Sequence, residues 1–136
     1  MRPPSSRRIL LVDDDAGCRE AFVCLFESWG CETIAAACPG DALSRMAERL
    51  PDVIVADLGL PTIAHGITMI REARRMPGAD SIPILALSGH GQDVDRRAAI
   101  RAGCDFFFLK PPDLDHLRDA LTATASERRV LNAHRR

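Results

Sequence analysis

Ile9-Leu10-Leu11-Val12-Asp13-Asp14-Asp15 is an apolar run that stops at three carboxylates. Four apolar residues without alternation are the pattern of a strand buried on both faces, as in a parallel sheet. The form recurs at Val53-Ile54-Val55-Ala56 before Asp57, at Ile82-Pro83-Ile84-Leu85-Ala86-Leu87 before Ser88, and at Phe106-Phe107-Phe108-Leu109 before Lys110. A weaker run covers Thr33 to Ala37.

Helical spacing fills the intervals. Cys18, Phe22, Leu25 and Trp29 fall at i, i+4, i+7 and i+11 and stop at Gly30. Leu43, Met46 and Leu50 repeat the spacing before Pro51, and Met69, Ile70 and Ala73 run out near Pro77-Gly78. Val94 and Ala98 mark a fourth helix ending near Gly103. Leu114, Leu117 and Leu121 mark a fifth, with Asp113 as its N-cap. These stripes are expected to be core faces. Five βα units predict a three-layer α/β domain on one parallel sheet.

The chain of 136 residues suits one domain. A net charge of −1 provides no global field for nucleic acid or anionic membrane. Acidic residues or proline interrupt every apolar run, so no membrane insertion is expected. The short run Ile9 to Val12 behind the basic start is no secretory signal. Cys18, Cys24, Cys31, Cys38 and Cys104 form no C-x-x-C pair, and their odd number argues against a disulfide framework. Reduced thiols and a cytoplasmic location are the expectation. His65, His90, His116 and His134 have no metal-ligand spacing.

Open parallel sheets gather ligands outside the carboxyl ends of their strands. Asp13-Asp14-Asp15, Asp57, Ser88 and Lys110 all fall at such ends, and Lys110 is the only lysine among 18 basic residues. An ammonium is a compact point charge, whereas guanidinium is a rigid fork. Carboxylates ~4 Å apart repel by about 4 kcal/mol at a surface-like dielectric, which favours protonation or a cation among them. Oxygen-only donors suit Mg²⁺. A carboxylate beside a cation and a lysine suits phosphoryl transfer, which depends on positioning and charge neutralisation. Asp15 is better placed to cap the first helix than to bind metal.

Val12-Asp13-Asp14-Asp15, Asp57-Leu58-Gly59-Leu60-Pro61, Leu87-Ser88-Gly89 and Leu109-Lys110-Pro111 together resemble the receiver domain of two-component response regulators. The resemblance runs from about Arg8 to Ala125 and implies a flavodoxin-like (βα)5 fold, like that of chemotaxis regulators, with strand order 2-1-3-4-5. It implies that Asp57 is the phosphoacceptor, charged by phosphohistidine of a sensor kinase or phosphotransfer protein. Asp14 would bind Mg²⁺ directly, Asp13 largely through water, and Gly59 through its backbone carbonyl. Lys110 and Ser88 would bind the phosphoryl oxygens, Phe107 would occupy an aromatic switch position, and Lys110-Pro111 would be cis. Such a domain signals and is not an enzyme beyond its own phosphorylation and dephosphorylation.

Three departures stand out. The family's glycine eight residues after the phosphoacceptor is replaced by His65, with Gly66 one later, so a lengthened loop is expected over Thr62-Ile63-Ala64-His65. Ser88-Gly89-His90-Gly91 carries two glycines, the pattern of a mobile switch loop or of a tight turn. Phe107 has no hydroxyl, so a switch there would work by packing.

Residues 1–7 are expected to form a disordered extension, residues 8–125 the receiver, and residues 126–136 a basic tail containing Arg128, Arg129, Arg135 and Arg136. That tail is too short for a DNA-reading domain, so no direct DNA binding is expected. Output through a protein partner, or onward relay of phosphate, follows, with the face of the fourth helix, fifth strand and fifth helix as its surface and as a candidate homodimer contact. The scarcity of lysine fits a GC-rich bacterial genome. Two other readings compete: a phosphohydrolase of the haloacid-dehalogenase kind, which wants an aspartate where Gly59 stands, and a receiver-like scaffold that binds without phosphorylation.

Overall fold

The computed structural model describes residues 7–59, 62–89 and 93–122. Residues 1–6 of the expected extension, the basic tail at 126–136, Leu60-Pro61 and His90-Gly91 therefore lie outside the described residues, while Arg7, expected in the disordered extension, accepts the Glu32 N–H on its carbonyl at 2.9 Å. Strands β1 (Arg8–Val12), β2 (Glu32–Ala36), β3 (Val53–Asp57), β4 (Ile84–Ser88) and β5 (Phe106–Leu109) form one parallel sheet in the order β2-β1-β3-β4-β5. Helices α1 (Ala16–Ser28), α2 (Pro39–Glu48), α3 (Ile63–Arg74), α4 (Asp93–Ala102) and α5 (Leu114–Thr122) complete the flavodoxin-like fold. The expected start of the fourth strand, Ile82-Pro83, is a lead-in. Pro83 has no N–H for the ladder, though its carbonyl accepts from Ile54 N at 2.9 Å.

Alternation along strands apolar on both faces divides the core. Leu10, Val12, Ile54, Ala56, Ile84 and Ala86 join Met46, Met69 and Ile70 on one side. Ile9, Leu11, Val53, Val55, Leu85 and Leu87 join Phe26, Leu117 and Leu121 on the other. Helices α2 to α4 cover the first side and α1 and α5 the second, giving three layers. Arg118 lies over the Trp29 ring at 5.6 Å and clips α5 to the end of α1.

One helical stripe, on α4, was misplaced, while those on α1 and α5 pack against the core in part. On α1 the fully buried residue is Phe26, while Cys18, Phe22, Leu25 and Trp29 are only partly buried. On α4, Val94 is 65% exposed and the buried face is Ala99 and Ala102, roughly 110° round the helix from Val94. Small side chains let α4 sit close to the sheet, and hydrophobicity alone points to the wrong face. On α5, Leu114 is 48% exposed, and Leu117, Ala120 and Leu121 carry the packing.

The end of the sheet remote from the carboxylates is tied by Arg74. Its guanidinium donates to the carbonyls of Ala79 (2.8 Å), Ile82 (2.8 Å) and Gly103 (2.7 Å) and to Asp105 Oδ2 (2.9 Å). Gly103 has φ +125°, and a Cβ there would lie 3.1–3.2 Å from Arg74. Glycine thus permits both the turn and the close approach.

Candidate functional site

Strand register levels the carboxyl ends. Val12 pairs with Ala56, Asp57 with Leu87, and Ser88 with Leu109. Asp13, one residue beyond β1, and Asp57 and Ser88, the last residues of β3 and β4, are therefore delivered to one edge. All three are buried polar residues in an otherwise apolar core. Asp14 is exposed beside them, and carboxylate oxygens of Asp13, Asp14 and Asp57 lie within 4.8 Å of one another.

Lys110 enters from the end of β5. Its backbone N–H donates to the Ser88 carbonyl at 2.8 Å, and its Nζ reaches Asp57 Oδ2 at 2.8 Å. The Lys110-Pro111 peptide is cis. The other oxygen of Asp57 accepts the Gly59 N–H at 3.1 Å. Burial works against the ammonium charge, but the hydrogen bond and charge of Asp57, with Asp13 behind it, win and raise the Lys110 pKa. Asp13 shifts upward as well. Burial is the main cause, Asp57 adds to it, and the Asp15 N–H and Lys110 oppose it.

Asp13 Oδ1 accepts the Asp15 N–H at 2.9 Å, while its buried Oδ2 has no hydrogen-bond partner. A carboxylate oxygen left bare inside a protein is costly, and here it belongs to an all-oxygen cluster. That donor set fits a hard divalent cation, which takes carboxylates and keeps waters. Asp15 itself caps α1, accepting from Cys18 N at 3.3 Å, and bonding with Cys18 lowers its pKa. Asp113 caps α5 through His116 N at 3.1 Å.

Phe107 is half-buried against the core cluster on the α2–α4 side. The expected loop at Thr62–His65 is not a loop. Thr62 is the N-cap of α3, and Ile63, Ala64 and His65 form its first turn. A Cβ on Gly66 would lie 2.4 Å from the Leu58 carbonyl oxygen, so the displaced glycine brings α3 against the backbone following β3. Sequence reasoning also missed Arg19, whose Nη1 donates to the Asp13 carbonyl at 2.9 Å from the first turns of α1. No pattern in the sequence signals that bond.

Among the described residues, no helix is long and apolar enough to cross a membrane. Residues 9–122 match the response regulator receiver domain family. An uncharacterised 14.6 kDa protein of Leptolyngbya boryana is 32% identical over 105 residues, covering 77% of this chain and 79% of that protein. The phosphate regulon transcriptional regulatory protein PhoB of Escherichia coli (strain K12) is 32% identical over 106 residues, which are 78% of this chain and 46% of PhoB. This chain thus spans less than half of that relative. Chemotaxis protein CheY4 of Vibrio cholerae shares the fold, with a TM-score of 0.78 at 23% identity over 85% of this chain and 96% of CheY4. With the family match over most of its length, the chain belongs to the response regulator receiver domain family.

Proposed function

We propose that Asp57 accepts a phosphoryl group from phosphohistidine on a sensor kinase or phosphotransfer protein, in a Mg²⁺-dependent step. The contact between Lys110 Nζ and Asp57 Oδ2, inside the Asp13–Asp14–Asp57 cluster, carries the reading. An Asp57 oxygen forms the new bond to phosphorus as the N–P bond breaks, and the histidine nitrogen leaves with the electron pair. Asp13, Asp14, Asp57 and the Gly59 carbonyl would hold Mg²⁺, which when bound supplies charge neutralisation. The Gly59 N–H orients the nucleophile through Oδ1. Lys110 then pairs with the arriving phosphoryl oxygens, and the Ser88 hydroxyl hydrogen-bonds them.

The phosphoryl group adds roughly −1.5 to −2 charge. Shifting a two-state equilibrium from 1:99 to 99:1 takes about 5.5 kcal/mol. Two charge-assisted bonds, from Lys110 and Ser88, at roughly 1.5–3 kcal/mol each supply most of it. The bias acts on the segment between β4 and α4 and on Phe107 packing. Exposed Val94, Leu109 and Leu114 form the apolar part of an output face on α4, β5 and α5, open to a partner or a second copy.

Intact-mass analysis after incubation with Mg²⁺ and acetyl phosphate tests the reading. One phosphoryl adduct on wild type, absent from Asp57→Ala and abolished by chelation, is expected. If neither adduct nor phosphate release occurs, the protein is a phosphorylation-independent scaffold.

A further inference from the structure

Asp13, Asp14 and Asp15 connect β1 to α1, and Arg19 reaches both neighbours of the middle one. Its backbone N–H donates to the Asp15 carbonyl at 2.9 Å, and its guanidinium Nη1 donates to the Asp13 carbonyl at 2.9 Å. Any residue at position 19 except proline would supply the first bond, an ordinary helical one onto the N-cap carbonyl. A long side chain with a donor is needed for the second. Asp13 is also held by its N–H to the Ala36 carbonyl at 3.0 Å and by its Oδ1, which accepts the Asp15 N–H at 2.9 Å. Asp15 caps α1 through Cys18 N. Asp14 is exposed between these two, yet its carboxylate belongs to the cluster with Asp13 and Asp57.

We infer that Arg19 is a positioning residue for Asp14, a role that rests on reading this edge as a Mg²⁺ site. The Asp13 carbonyl and the Asp14 N–H belong to one rigid peptide plane. Holding that carbonyl sets the plane from which Asp14 departs, and with it the direction in which the Asp14 carboxylate is offered. The three carboxylates repel one another, and Asp14 is the one that burial does not hold in place. A turn fixed before the cation arrives leaves less ordering to be done on binding. The charge of Arg19 works the other way, because a guanidinium bonded to Asp13 repels a dication. Arg19 is only half-buried, so solvent and salt weaken that repulsion, while the hydrogen bond acts directly on the turn. Positioning and charge thus predict opposite signs for its removal, and positioning dominates.

The test is a calorimetric Mg²⁺ titration of the full chain, wild type against Arg19→Met and Arg19→Lys. Methionine keeps the apolar stem and removes both donor and charge. Its affinity for Mg²⁺ should fall roughly tenfold, as when other groups that orient a metal ligand are lost. Lysine keeps a donor and the charge and should recover most of that loss. On the metal-free protein, the Asp14 and Asp15 amide resonances of Arg19→Met should shift or broaden while those of α3 stay in place. Arg19→Gln, neutral and too short for the same bond, serves if Arg19→Met does not fold. Unchanged or tighter Mg²⁺ binding by the folded variant, with only a lower Tm, would reduce Arg19 to a structural bond and overturn the inference. Wild type that binds no Mg²⁺ would overturn the metal reading of the edge and this role with it. Both results are independent of phosphoryl transfer, so a failure of Asp57 to accept phosphate is seen separately.

Discussion

Gly66 and Leu58 are packed backbone to backbone, with room between them for a hydrogen and not for a methyl group. A Cβ at position 66 would sit 2.4 Å from the Leu58 carbonyl oxygen and 2.7 Å from its Cα. Gly66→Ala should cost about 3 kcal/mol of overpacking, offset by about 1 kcal/mol of helix propensity. The net loss of about 2 kcal/mol lowers Tm by roughly 8 °C. Gly40→Ala in α2, where nothing lies within 4 Å, is the control and should be neutral or stabilising. Equal melting of the two variants would show that the contact imposes no constraint.

The same pair shows what the sequence discloses. The one-residue displacement of the glycine was visible, but its consequence was misread, because spacing alone does not say whether an extra residue joins a loop or a helix. The strands and the level edge of Asp13, Asp57, Ser88 and Lys110 were legible in near-continuous apolar runs, whereas the strand order came only with the resemblance to a receiver domain. The face of α4 was not, because Ala99 and Ala102 pack by being small and Val94 is hydrophobic yet exposed. Arg74 and Arg19 were invisible for another reason. Both serve backbone carbonyls, which carry no residue signature.

Arg74 holds four carbonyls, those of Ala79, Asp80, Ile82 and Gly103, and the Asp105 carboxylate, which also accepts Ile84 N at 2.8 Å. Arg74→Ala leaves those acceptors without their donor and should cost about 3 kcal/mol by urea unfolding. Arg74→Lys should recover less than half, because a single ammonium cannot span sites on both sides of a fork. Full recovery by lysine would reduce the role of Arg74 to its charge.

Asp13 is buried with one oxygen bare, and its pKa is raised above the ordinary 3.8. The folded state therefore holds this proton more tightly than the unfolded one. As pH rises from the ordinary value through the raised one, the charge forms at a cost to the fold, and stability falls. Asp13→Asn removes that cost. Without Mg²⁺ its advantage over wild type should be small in acid, grow as pH passes through that window, and level off above it. With Mg²⁺ at about 100 times its Kd, wild type should gain about 2.7 kcal/mol and the variant much less. A pH-independent difference between the two melting curves would contradict this account.

Lys110 lies between two demands, and its removal should move them in opposite directions. In wild type its raised pKa means that the ion-pair stabilisation is fully present below the ordinary 10.5 and is lost as pH climbs through the higher folded value. Lys110→Ala should lack that alkaline loss. Without the ammonium, Asp13, Asp14 and Asp57 face one another unneutralised, so Mg²⁺ should bind roughly tenfold tighter by calorimetry. Phosphoryl uptake from acetyl phosphate at saturating Mg²⁺ should instead slow by about 10-fold or more, because nothing replaces the charge that meets the incoming oxygens. Lys110→Arg separates charge from shape. It should restore ordinary Mg²⁺ affinity, while its planar fork recovers only part of the uptake rate. Unchanged uptake in Lys110→Ala would leave the 2.8 Å contact with Asp57 as a structural bond only, with no part in phosphoryl transfer.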